Sequence, residues 1–308
     1  MVLLHGLPMG IHRLMSHLRY RAKKMLGPFV RKSAAWMSGP GEGLSTKQTG
    51  TVNLEQILMC PYCRGAIRLG RDAVCADCGT RFQVRNGIPI IADSPDAFID
   101  RSNPNRHKRT NPYSNATLRV IEDHRDGLVL DFGAGYPPEE NLFQHVVRVD
   151  LILYPSTTVV VNTRTLPFRD GSFDAVVSES VLEHIPDPFH FANEAYRLLK
   201  PGGVVHVETA FLQPYHDDPD NYFNMSISGL RQVFKAFEEV ATGVGDHQKA
   251  SFTVALLLQA YARCVPSKEA RVLIERLLAM PLHQLDSGIG DHYHRALAAG
   301  VFFQGIKK

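Results

Sequence analysis

The sequence predicts an open, doubly wound α/β sheet with a small cysteine-bound ribbon in front of it, and three observations carry that expectation. From Leu118 onward, short apolar runs alternate with helical stretches, the pattern of a parallel sheet covered on both faces. One run, Leu128-Val129-Leu130, leads into Asp131-Phe132-Gly133-Ala134-Gly135, and glycines at the carboxyl end of a strand let a ligand approach the backbone. Two Cys-x-x-Cys pairs, Cys60/Cys63 and Cys75/Cys78, stand eleven residues apart.

The strands follow in order. Val146 to Val149 forms a second strand ending at Asp150, nineteen residues beyond Asp131, close to the offset at which an acid accepts hydrogen bonds from both hydroxyls of a ribose. Val159 to Val161 forms a third, ending at Asn162 and Thr163, and Phe173 to Val177 a fourth. Asp187-Pro188 opens a helix that runs to about Leu199, Lys200-Pro201-Gly202-Gly203 closes it, and Val204 to Val207 is the fifth strand.

The 308 residues are 44% hydrophobic and 21% charged, which fits one large globular domain plus a small one. No run approaches the roughly 20 apolar residues of a membrane-spanning helix. The net charge of +3 hides an asymmetry: the first 110 residues hold 17 bases and seven acids, the remainder 17 bases and 24 acids. An anionic surface or polymer would therefore be held by the front of the chain. No apolar run with a cleavage site follows the early basic residues, so a reducing, cytoplasmic compartment is expected. Cys264, alone in an apolar helical stretch, is expected to be a small core residue.

Residues 1–50 read as a basic helix and linker. Ile11, Leu14, Met15, Leu18, Ala22, Met25 and Leu26 share one face and basic residues largely the other, with Gly27-Pro28 ending the pattern. Such a helix docks on its own protein, lies on an anionic membrane surface, or serves as a transit segment. Residues 54–93 form the ribbon. Each cysteine pair brings two sulfurs to one ion, and Cys60, Cys63, Cys75 and Cys78 together complete a closed tetrahedron, the pattern of a structural zinc site. Phe82 and Val84 alternate with polar residues before an Asn86-Gly87 turn. A basic connector over 94–114 leads to the large domain, 115–308.

From Leu54 to about Asp93, including Asn86-Gly87-Ile88-Pro89, the chain resembles the small zinc-ribbon activator subunit of several tRNA, rRNA and protein methyltransferases. The large domain resembles a class I S-adenosylmethionine-dependent methyltransferase with a Rossmann-like sheet, of the group that includes ubiquinone and menaquinone biosynthetic enzymes. The matching pieces are Val129 to Gly135, Val149-Asp150, Leu166 to Asp174, Val181-Leu182-Glu183-His184 and Arg197 to Gly203. The resemblance implies a sixth strand near Val240, a helical insertion near 250–297 and a last strand over 300–307.

It also implies that Asp131, Gly133 and Gly135 line the methionine portion of S-adenosylmethionine, that Asp150 takes the ribose, that Asn162 and Thr163 meet the adenine, and that Ser178 lies beside the sulfonium. Pro137 stands where the family's third glycine often lies, so Tyr136-Pro137-Pro138 predicts a helix that starts late or runs short. The stretch after the fifth strand lies where acceptor residues would be and supplies Tyr215, His216 and Tyr222, with His216 the best candidate base because its ordinary pKa lies near neutrality. Glu183-His184 lies near the cofactor in the family and equally suits a brace for the following turn. The expected acceptor is a small molecule. An rRNA or tRNA base methyltransferase using the basic N-terminal region, and a non-catalytic methyltransferase-like partner protein, stand as alternatives.

Overall fold

The computed structural model describes residues 52–94, 97–106, 108–110, 112–139, 141–216, 220–278 and 280–308. The amphipathic stripe over 11–26 and the linker after it lie outside the described residues. A short helix α1 (Leu54–Ile57) precedes four antiparallel ribbon strands: β1 (Ile67–Leu69), β2 (Asp72–Cys75), β3 (Arg81–Arg85) and β4 (Ile88–Ala92). Asn86 and Gly87, both at positive φ, make the tight turn between β3 and β4. β5 (Ile99–Asp100) lies in the connector and pairs with β8 (Ile152–Leu153).

The large sheet contains β6 (Val129–Phe132), β7 (Val146–Asp150), β9 (Val159–Asn162), β10 (Phe173–Glu179), β11 (Leu199–Ala210), β12 (Glu238–Val244) and β13 (Gly300–Ile306). Their spatial order is β9-β7-β6-β10-β11-β13-β12, parallel except for β13, which runs antiparallel to both its neighbours. The order reverses between β6 and β10, and a ligand crevice opens at such a switch point. The ribbon continues this sheet. β4 pairs in parallel with β9, through Ile90 with Val160 and Ile91 with Val161, so one sheet of eleven strands runs from β1 to β12.

Alternation along the strands makes two cores. On one face α2 (Asn115–Asp123) lays Val120 and Ile121 over Val129, Val146, Ala175 and Val177. Its N-terminus is capped by Ser114, whose hydroxyl accepts from Thr117 N at 3.1 Å. On the other face α3 (Pro188–Leu198) buries Phe191, Ala195 and Leu198, and α4 (Ile227–Val233) buries Leu230 and Val233. Asp187 caps α3 by accepting from His190 N at 3.0 Å, with Pro188 in the first turn where its missing N–H costs nothing. That second core also takes in Leu58, Ile67 and Phe82 of the ribbon.

Three expectations are corrected. Among the described residues no helix lies between β6 and β7: those around Tyr136-Pro137-Pro138 form a loop rather than a shortened helix. Residues 200–203 do not cap α3, which ends at Leu198; they open the long strand β11. Cys264 is exposed, not a core residue, because α5 (Ala250–Cys264) buries only Ala250 and Thr253. α5, α6 (Lys268–Leu278) and α7 (Asp291–Ala296) fill the interval between β12 and β13. None of the described helices is long and apolar enough to cross a membrane.

Candidate functional site

The carboxyl ends of β6, β7 and β10 meet around the glycine loop. Gly133 N and Ala134 N donate to Val149 O at 2.8 and 3.1 Å, which holds the loop against β7. Gly135 N donates to Asp150 Oδ2 at 2.7 Å, and Ile152 N to Asp150 Oδ1 at 2.8 Å. The Asp150 carboxylate is thereby oriented by backbone alone and keeps lone pairs for further donors. Burial raises its pKa, and these backbone bonds work against that. Gly133 has φ +73°, and a Cβ there would lie 2.3 Å from Val181 Cγ2. Gly133→Ala is therefore expected to lower stability by about 3 kcal/mol, read from the denaturant midpoint, with Val181→Ala in the same chain recovering part of the loss.

A clamp from the connector closes over this loop. Thr110 N donates to Tyr136 O at 2.8 Å while Tyr136 N donates to Thr110 Oγ1 at 3.0 Å. The Arg109 guanidinium lies 4.9 Å from the Tyr136 ring centre and donates to Pro138 O at 2.8 Å. The Tyr113 hydroxyl donates to Asp131 Oδ2 at 2.5 Å. Ser114 reaches two further strands: its N–H donates to Glu179 Oε1 at 3.0 Å and its hydroxyl to Glu208 Oε1 at 2.6 Å. Acids from β6, β10 and β11 are thus stitched to one turn. Burial pushes Asp131 up to about 7, against the Tyr113 hydrogen bond and the nearby Arg148 charge. Arg148 faces Asp131 across the β6–β7 ladder and is itself buried.

The structure brings Asp131, Gly133, Gly135, Asp150 and Ser178 to one edge. Ser178, 2% exposed, donates to Phe132 O at 2.9 Å and ties β10 to the start of the glycine loop. Asn162 and Thr163 stand one strand further out, at the end of β9. Asn162 Nδ2 donates to Ala97 O at 2.7 Å, and the Thr163 hydroxyl to Thr165 O at 2.7 Å. Asn162 thus holds the connector, a contact that the sequence pattern does not reveal.

After β10 comes a single 3-10 turn, Leu182–His184. Glu183 is 1% exposed and accepts the Thr209 hydroxyl at 2.8 Å on Oε2, while its carbonyl accepts Tyr222 N at 2.7 Å and Phe223 N at 3.2 Å. Glu183 thus braces β11 and the Tyr222–Phe223 backbone, not the turn that follows it. His184 Nδ1 meets Asp220 O at 2.8 Å, and His216 Nδ1 meets Pro214 O at 3.1 Å. The two imidazoles lie edge to face with centres 4.9 Å apart. Tyr215 and Tyr222 are 68% and 48% exposed, and the Tyr222 hydroxyl donates to Asp220 Oδ2 at 3.4 Å. His216 and His184 come together; the two tyrosines point to solvent.

The four ribbon thiols converge separately. Cys60 Sγ lies 3.8 Å from Cys78 Sγ, and Cys63 Sγ 3.4 Å from Cys75 Sγ. A tetrahedron with metal–sulfur bonds of about 2.3 Å has edges of about 3.8 Å, so the donor set fits zinc. Each knuckle turns through one residue at positive φ, Arg64 in the first and Gly79 in the second. The Thr80 hydroxyl and N–H lower the Cys78 thiol to about 6, while Cys63, against the Gly65 N–H, is pushed up to about 12 by the facing Cys75 and Cys78 thiols.

Residues 139–207 match the family model described as a methyltransferase domain. Over those residues the chain is similar to a methyltransferase domain. Its curated relatives include a probable S-adenosylmethionine-dependent methyltransferase of Mycolicibacterium smegmatis, 41% identical over 88 residues, covering 28% of this chain and 34% of that one. An uncharacterized methyltransferase of Mycobacterium tuberculosis is 34% identical over 91 residues, covering 28% and 35%. The chain thus spans about a third of the length of these relatives. Among solved structures, phosphoethanolamine N-methyltransferase 2 of Haemonchus contortus is 18% identical with a TM-score of 0.38, covering 63% of this chain and 52% of that one. Geranyl diphosphate C-methyltransferase of Streptomyces coelicolor is 15% identical with a TM-score of 0.37, covering 63% and 77%.

Proposed function

We propose that this chain is an S-adenosylmethionine-dependent methyltransferase acting on a small-molecule acceptor, with a structural zinc in its ribbon. The observation that carries the reading is the pairing of a backbone-oriented carboxylate, Asp150, with the glycine loop at the switch point of the sheet. Bound there, S-adenosylmethionine supplies a methyl group already activated by its sulfonium. The chain's task is then alignment and, for some acceptors, removal of a proton.

In this reading Asp150 accepts the ribose hydroxyls, Gly133 and Gly135 admit the methionine portion to the backbone, and Asp131 takes its ammonium group. Ser178 lies beside the sulfonium, and Asn162 and Thr163 border the adenine. His216, with His184 against it, faces the acceptor. A small acceptor is favoured over RNA by the excess of acids from residue 111 onward, since phosphate-rich ligands are held by basic surfaces. Calorimetry with S-adenosylhomocysteine on the zinc-loaded chain tests the cofactor seat, and absence of binding by a folded chain defeats it. Transfer of labelled methyl into fractionated cell extract then sorts lipid, metabolite, protein and RNA acceptors.

The Asp131 environment adds a pH signature. An ammonium group is attracted by the ionised carboxylate and not by the neutral acid, and burial places the change near pH 7. S-adenosylhomocysteine affinity should fall as pH drops from 7.5 to 5.5, approaching tenfold per unit at the lower end. Asp131→Asn should bind weakly and with a flat profile over the same range.

A further inference from the structure

Glu183, His184 and His216 place one ligand atom each within 4.8 Å of the others. From this cluster we infer a second metal site, a two-histidine, one-carboxylate centre for a divalent transition ion, separate from the ribbon thiols. Two features beyond the spacing support it.

The first is the set of hydrogen bonds behind each donor. Asp220 O and Pro214 O are carbonyl oxygens and can only accept, so the Nδ1 atoms of His184 and His216 carry the protons. In a neutral imidazole the Nε2 lone pair is then the free coordinating atom. Metal-binding histidines are held in this way, by a carbonyl on the far ring nitrogen. Glu183 is oriented in the same manner, with Oε2 fixed by the Thr209 hydroxyl at 2.8 Å and Oε1 left over.

The second is charge. Glu183 is 1% exposed, and no Lys or Arg among the described residues forms an ion pair with it. A cation at Glu183 Oε1 would therefore meet no competing charged side chain among the described residues. An ion bonded at about 2.1 Å to each donor spans at most about 4.2 Å between donors, so the three donors, within 4.8 Å of one another, draw slightly closer to hold it. One face of the ion then stays open, as in sites that bind a substrate oxygen.

The role rests on the methyltransferase reading; the ion does not. An acceptor bearing a hydroxyl would bind that open face through oxygen, and the ion would ease loss of its O–H proton to water. The oxygen then forms the bond to the methyl carbon as the carbon–sulfur bond breaks and its electron pair returns to sulfur. The substrate class is therefore an alcohol or phenol.

Mn²⁺ separates this site from the ribbon, because thiolates bind it poorly. The full-length, zinc-loaded chain is titrated with Mn²⁺ and free ion is followed by electron paramagnetic resonance, with S-adenosylhomocysteine affinity measured in parallel. Wild type should bind one Mn²⁺ beyond the ribbon zinc. His216→Ala should weaken it at least tenfold, and Thr209→Val, which frees the Glu183 carboxylate, by about 10–100-fold. S-adenosylhomocysteine affinity should hold in His216→Ala, showing an intact fold. Absence of Mn²⁺ binding up to millimolar concentration, or binding unchanged in His216→Ala, overturns the site. Mn²⁺ binding without S-adenosylhomocysteine binding leaves the site standing and removes the methyl-transfer role.

Discussion

Replacing Cys75 by Ser should lower the midpoint of thermal unfolding by at least about 15 °C and leave a protein that scatters light on mild heating. A structural zinc contributes roughly 10 kcal/mol or more of apparent binding energy, and for a domain of this size 1 kcal/mol moves the midpoint by about 2–4 °C. The effect is not confined to the ribbon. Met59 N donates to Pro167 O at 3.0 Å and Arg169 N to Ile57 O at 2.8 Å, and Leu58 shares the core of Phe168 and Phe173. β4 also covers β9, whose Val159-Val160-Val161 would otherwise be a bare apolar edge open to intermolecular pairing. Differential scanning fluorimetry with zinc content by atomic absorption checks this. An unchanged midpoint in a zinc-free protein would remove zinc from the account.

Asp150→Ala should weaken S-adenosylhomocysteine binding by about 100-fold or more in calorimetry at neutral pH. Hydrogen bonds to a charged acceptor contribute about 1.5–3 kcal/mol each, and a ribose offers two donors. The same substitution releases Gly135 N and Ile152 N, so the glycine loop also loses the group that orients it. Asp150→Asn retains one acceptor oxygen and should fall between wild type and Asp150→Ala. Equal affinities for all three would move the ribose elsewhere.

Local spacing made the candidate edge legible. The strand ending at Asp131, the glycines after it and Asp150 nineteen residues on are set by the strand repeat, and the cysteine pairs by the geometry of one ion. Contacts between distant segments were not legible. Nothing near Thr110 or Tyr113 announces that they grip Tyr136 and Asp131, because the connector's path is chosen by the fold. The connection after Gly133 is half visible: Pro137 and Pro138 flag a disturbed helix, while the buried positions of Tyr136 and Phe143 outside any described helix are not readable from sequence. Cys264 misled because apolar composition cannot show that α5 has little to pack against. The His184–His216 pair escaped for the same reason as the clamp, since residues far apart in sequence meet there only in the folded chain.

The pairing of β4 with β9 has a consequence for how the protein tolerates dilution. A sheet edge completed by a separate chain dissociates as concentration falls, and its occupancy follows the supply of the other chain. Here both strands belong to one polypeptide, so their association is unimolecular and one ribbon accompanies every sheet at any concentration.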